Sequence, residues 1–210
     1  MLTLSQLAPF LAAVALIELT PGPNMAYLFV VSSRSGRAAG MVTVAGITLG
    51  LSIYLAVTLA GLGEVLRWPW VLALLRWGGV AYLVWLAIDT WRAGDRAAGA
   101  DAGRNEAMPP PARLFLRGLM NNVLNPKNAV FYLVLLPGFV EPEAGNATGQ
   151  ALHLGLIHLA VSVGVHSLIV LGGDRAGRAA GALGATAWPL ERLFALALLA
   201  VAAWLALTPP

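Results

Sequence analysis

Six runs of apolar residues recur along the chain, at about 7 to 31, 41 to 63, 69 to 91, 114 to 139, 150 to 172 and 188 to 207, separated by clusters of arginine, glycine and proline. Each reaches the roughly 18-residue length at which an apolar run reads as a helix crossing the bilayer. Met41 to Gly63 and Thr148 to Gly173 contain no acidic residue, lysine or arginine at all. The pattern therefore predicts an all-α polytopic membrane protein with six transmembrane helices. The first run is not read as a cleaved leader, because Met1 to Gln6 lacks a basic residue and the run continues past Glu18 into further apolar sequence.

The longest connection, 93–113, is rich in Ala, Gly, Asp and Arg and closes on Pro109-Pro110-Pro111. It divides the chain into 1–92 and 114–210, each with three spans. Three is odd, so two similar halves would lie upside down relative to one another, as in many secondary transporters. Both halves carry a proline-broken polar cluster midway along their first span, Thr20-Pro21-Gly22-Pro23-Asn24 and Asn125-Pro126-Lys127-Asn128. Gly46 and Gly155, and Gly63 and Gly172, match at a constant offset of 109. The expected architecture is thus two inverted three-helix repeats in which helices one and four are broken.

Composition narrows the function classes. The chain is 59% hydrophobic and 11% charged, against roughly 25% charged in ordinary soluble domains. Twelve arginines and one lysine against ten acids give a net charge of +3. In a soluble chain that excess would point to nucleic acid; here it orients the protein in the bilayer. Nine arginines fall in the connections after spans one, three and five, and Arg67 alone falls after spans two and four. Positive charge favours the cytoplasmic side, so both termini are expected outside. With no cysteine, disulfides, thiolate metal sites and thiol nucleophiles are excluded. The sequon Asn146-Ala147-Thr148 is too short a pattern to carry weight.

The candidate chemistry sits at the breaks. In hydrocarbon every backbone polar group needs a partner. Pro21 and Pro23 have no N–H for the carbonyls of Ile17 and Leu19, and Pro126 has none for Asn122. Gly22 permits a turn between the prolines, and Asn24 is a candidate cap for the helix that resumes. Freed carbonyls attract an ammonium group and the amides opening a helix attract a carboxylate; an α-amino acid carries both. The plainer reading is a proline kink, but two breaks at matching positions favour a site. Glu18 and Lys127 lie within a turn of the breaks, at a depth where a charge costs on the order of 3 kcal/mol. They read as two poles of a solute site or as a structural pair. Asn121, Asn122, Asn125 and Asn128 surround Lys127 as neutral ligands for a polar solute. His158, Ser162 and His166 share one helical face and form either a proton relay or an interhelical hydrogen-bond stripe. Gly46 and Gly50 form a packing face, and a homodimer through such a glycine-rich face is plausible.

These residues resemble a known family. Glu18-Leu19-Thr20-Pro21-Gly22-Pro23-Asn24-Met25, then Phe115-Leu116-Arg117-Gly118 with Asn121-Asn122-Val123-Leu124-Asn125-Pro126-Lys127, and Leu136-Pro137-Gly138-Phe139-Val140 look like the lysine exporter (LysE) family of bacterial amino-acid efflux permeases, along essentially the whole chain. The resemblance implies export of an amino acid or related small solute across the bacterial inner membrane, driven by an ion gradient and without a cofactor. Protons are the expected coupling ion. Alternatives are a passive channel, which would need a continuous polar lining, and an intramembrane enzyme, for which no nucleophile or metal-ligand motif is present.

Overall fold

The computed structural model describes residues 4–19, 22–61, 69–99, 109–182 and 188–207. Every regular element among them is helical: α1 (Leu4–Leu19), α2 (Pro23–Leu59), α3 (Pro69–Gly99), α4 (Pro111–Val123), α5 (Pro126–Val130), a π-helical turn (Phe131–Leu135), α6 (Leu136–Gly138), a 3-10 turn (Pro142–Ala144), α7 (Ala147–Ala182) and α8 (Trp188–Leu207). Two helices, α2 and α7, are long and apolar enough to cross a membrane. Large apolar side chains such as Leu16, Leu74 and Leu168 are exposed, as a surface covered by lipid requires.

Gly36 divides α2 into two arms. Its φ of 78° lies in the left-handed region that only glycine enters without strain. A β-carbon built on Gly40 would lie 3.1 Å from Cβ of Ser32, whereas residues eight apart in a straight helix are about 12 Å apart. Leu28 likewise shares a buried cluster with Val44 and Ile47. The chain therefore doubles back, and the expected connection of 32–40 shrinks to one residue. Beside this turn α7 runs ten residues past the expected end at Gly172. Its Gly173 and Gly177 allow it to stay in close contact with Phe29, Ser32 and Ser33 on the first arm of α2.

Small residues set the helix spacing elsewhere too. A side chain on Gly46 would meet the Phe115 carbonyl, and one on Gly118 would meet the Thr43 carbonyl. The second arm of α2 and α4 thus approach backbone to backbone, as glycine faces permit in membranes. Gly50 is closed off by Asn122, so the Gly46–Gly50 face is used inside the chain. Arg192, on α8, stacks over Trp91 of α3, and Arg117 over Trp85.

Two apolar clusters flank the breaks. Phe10, Val14, Leu51, Tyr54, Phe131 and Tyr132 are among one, which joins α1, α2, the π turn and α7. Tyr27, Leu83, Leu114, Ala195 and Leu198 are among the other, which joins α2, α3, α4 and α8.

Candidate functional site

The site begins where two helices stop short. α1 ends at Leu19 and α2 starts at Pro23; α4 ends at Val123 and α5 starts at Pro126. Thr20 and Pro21 lie outside the described residues. The freed carbonyls find partners from other segments. Lys127 donates from Nζ to the Ile17 carbonyl at 2.8 Å, the carbonyl that Pro21 deprives of a helical donor. Tyr54 donates its hydroxyl to the Val123 carbonyl at 2.6 Å. The Asn122 carbonyl accepts from the Asn125 N–H at 3.0 Å, and the Lys127 N–H turns to Asn125 Oδ1 at 3.1 Å. Asn125 therefore caps α5.

Asn24 does not act as a cap. The N-cap of α2 is Gly22 in extended conformation, with Pro23 as the first helical residue. A proline there gives up an N–H that the helix start does not use. The Asn24 side chain is buried and accepts through Oδ1 from Nδ2 of Asn121 at 2.7 Å, which ties the two breaks together. Asn146, from the sequon, caps α7: its Oδ1 accepts from the Gly149 N–H at the start of that helix.

Glu18 is 4% exposed and stands between two imidazoles. His158 Nε2 lies 3.0 Å from Oε1, and His166 Nε2 lies 3.9 Å from Oε2. His158 Nδ1 is 3.0 Å from the Tyr132 hydroxyl, and His166 Nδ1 is 3.2 Å from Ser162 Oγ. With each imidazole neutral and protonated on Nε2, the Tyr132 and Ser162 hydroxyls donate to Nδ1. His158 then donates to the carboxylate, while His166 turns Nε2 toward it from 3.9 Å, beyond hydrogen-bond reach. The outcome is one buried string, Tyr132, His158, Glu18, His166, Ser162, running from the π turn through α1 to α7. The His158 ring is also packed 4.0 Å from that of Phe131.

The asparagines are buried and incompletely bonded. Among the described residues, Asn121 Oδ1, Asn125 Nδ2, Asn128 Nδ2 and both amide atoms of Asn122 have no hydrogen-bond partner. Buried amide atoms left unpaired cost free energy, so four such residues in one region make it a candidate site. A small cavity opens beside Asn121 and Asn125, with Tyr82 at its edge.

A family model of LysE type translocators matches residues 15–208. The chain belongs to the LysE family. A homoserine/homoserine lactone efflux protein of Salmonella typhimurium is 32% identical over 155 residues, 73% of each chain. A threonine efflux protein of Escherichia coli K12 is 28% identical over 130 residues, 60% of this chain and 63% of its own. An uncharacterized membrane protein of Bacillus subtilis is 26% identical over 158 residues, 72% of this chain and 75% of its own. No solved structure matches.

In this LysE-family chain the expected residues separate into two groups. Glu18 joins the histidine stripe, and Lys127 joins the helix break and its asparagines. Tyr132 and Tyr54 touch the candidate site, at His158 and the Val123 carbonyl, but are not among the residues singled out from the sequence. Each sits in an apolar run where a tyrosine looks like an interfacial anchor. Their one signal is depth, since each lies well inside its run rather than at its end.

Proposed function

We propose that the chain is a proton-coupled exporter of a small amino acid or closely related solute. It works by alternating access across the bacterial inner membrane. The observation that carries the reading is the buried Glu18 between His158 and His166, adjoining a helix break whose freed carbonyl is held by Lys127. A carboxylate hydrogen-bonded to His158, with His166 3.9 Å away, can accept a proton, and doing so reverses the demand on His158. Proton binding thereby changes the contacts that tie α1 to α7. Lys127 and the opened helix ends supply the charges that recognise a solute's carboxylate and ammonium. Asn24, Asn121, Asn122, Asn125 and Asn128 supply neutral contacts, with Gly22, Pro23 and Pro126 keeping the ends open.

The same reading takes the two helix breaks as the paired centres of inverted repeats, 1–92 and 114–210 joined by 93–113, rocking around the site in a six-span arrangement. The relatives named for homoserine, homoserine lactone and threonine efflux support an amino-acid cargo.

The test is reconstitution into proteoliposomes with a panel of amino acids and an imposed pH gradient. Gradient-dependent accumulation is expected. Glu18→Gln should retain exchange of solute between the two sides while losing the response to the gradient. Accumulation by the unsubstituted protein that ignores the gradient refutes proton coupling.

A further inference from the structure

Lys127 reaches out of its own half of the chain. Its backbone is fixed in the first turn of α5, where the N–H donates to Asn125 Oδ1. Its four-carbon stem then crosses to α1, 110 residues earlier in the chain, and places Nζ 2.8 Å from the Ile17 carbonyl. That carbonyl is open to a foreign donor because Pro21 has no N–H to offer it. The next residue is the buried Glu18, whose carboxylate turns to His158 and whose negative charge also acts on Lys127. Nζ therefore sits at a neutral acceptor inside the field of a buried carboxylate.

Those two features select what can occupy the position. The carbonyl requires a donor, which a carboxylate lacks. The field of Glu18 favours a positive charge over a neutral hydroxyl or amide. A primary ammonium meets both demands, and Lys127 supplies one of the kind that an α-amino acid also carries. Its bond is to a carbonyl dipole and its stem has several rotatable bonds, so the ammonium can leave without disturbing the capped backbone.

We infer that the Ile17 carbonyl is a primary-ammonium site, occupied by Lys127 until a solute ammonium displaces it. The inference rests on the export reading above and adds an order of events to it. The solute ammonium takes the Ile17 carbonyl, and the released Lys127 Nζ turns to the solute carboxylate. Each ammonium ends with a partner, and a zwitterion brings no net charge into low dielectric. A lone amine would strand Lys127, and a lone carboxylate would strip the Ile17 carbonyl of its donor. Lys127 thus makes both ends of the solute necessary for binding.

Lys127 is the single lysine in the sequence, so isotope-labelled lysine gives one side-chain NMR signal from the full chain. An amino acid that the proteoliposome panel shows to be carried should move that signal. Its N-acetyl derivative, which keeps the carboxylate and loses the ammonium, should leave the signal in place at the same concentration. Methylammonium supplies the second arm. In Lys127→Met the terminal methyl extends only as far as lysine Cε, so the Nζ position loses its occupant. A tethered group competes at an effective concentration of about millimolar or more, and removing it should tighten methylammonium binding about tenfold or more, read by titration calorimetry in detergent. An N-acetyl derivative that moves the signal as the amino acid does overturns the inference, and so does a carried amino acid that leaves it unmoved. Equal methylammonium affinity in the two proteins overturns it as well; where Lys127→Met is not recovered folded, the lysine signal decides alone. If no amino acid is transported, the export reading fails, and the methylammonium comparison decides the site on its own.

Discussion

Lys127→Met separates what the ammonium does for the fold from what it does for transport. Lys127 Nζ holds the Ile17 carbonyl at 2.8 Å, and the backbone at Pro21 has no hydrogen to take its place. Losing that bond removes a charge-assisted interaction of about 1.5 to 3 kcal/mol. The same substitution removes a charge whose placement within a span costs about 3 kcal/mol on insertion scales. The two contributions oppose one another at similar size, so the folded state should shift by no more than ~1.5 kcal/mol. Methionine fills comparable volume, which keeps packing out of the comparison. Transport should nevertheless fall below detection, because among the described residues Lys127 is the lysine or arginine that reaches the α1 break and can meet the solute carboxylate. Denaturant unfolding in detergent measures the first quantity and uptake into proteoliposomes the second. Wild-type transport by Lys127→Met would refute a role in solute binding. Destabilisation beyond ~4 kcal/mol, the cost of breaking a buried pair, would instead make Lys127 a structural pin between α1 and α5.

Two further outcomes follow from the same geometry. Tyr54→Phe leaves the Val123 carbonyl without the donor that closes the α4 break and should destabilise the protein by about 1 to 3 kcal/mol in the same unfolding assay; an unchanged midpoint would mean that another donor serves that carbonyl. A reporter active only outside the cytoplasm should work when fused after Pro210 or Gly145 and be silent within 94–104, and the reversed result would refute the orientation drawn from the arginines.

The helices were largely legible because their signal is local. Apolar runs, a proline that removes an N–H and a glycine that frees a turn each announce themselves within a few residues. Both breaks therefore fall where the sequence put them. What the chain could not display was distance between segments. Glu18 and Lys127 looked like natural partners because their charges are opposite and their positions match between the halves. The structure instead gives Glu18 to His158 and His166, 140 and 148 positions further along, and gives Lys127 a carbonyl one residue before Glu18. The histidine stripe was visible from its spacing of four, but its target lay on another helix. Asn24 was misread as a cap for a related reason. Capping preference is a local statistic, and a buried interhelical bond to Asn121 outweighs it once Pro23 has already opened the helix. Gly36 gave no warning among 23 glycines, since a positive φ is a property of the fold around it.

The π turn at Phe131–Leu135 bears on how this region can vary. A π turn holds one residue more than the α turn it interrupts, so everything beyond it is rotated by about 100° relative to an uninterrupted helix. Lys127 and Asn128 precede the extra residue; Leu136, with Tyr132 inside the turn, is in the buried cluster beside the histidines. A substitution here alters one contact. Deleting one residue between Phe131 and Leu135 would restore regular winding and swing Leu136 off the core. Insertions and deletions in this stretch should accordingly be far more damaging than exchanges of side chain, even conservative in composition as they would look.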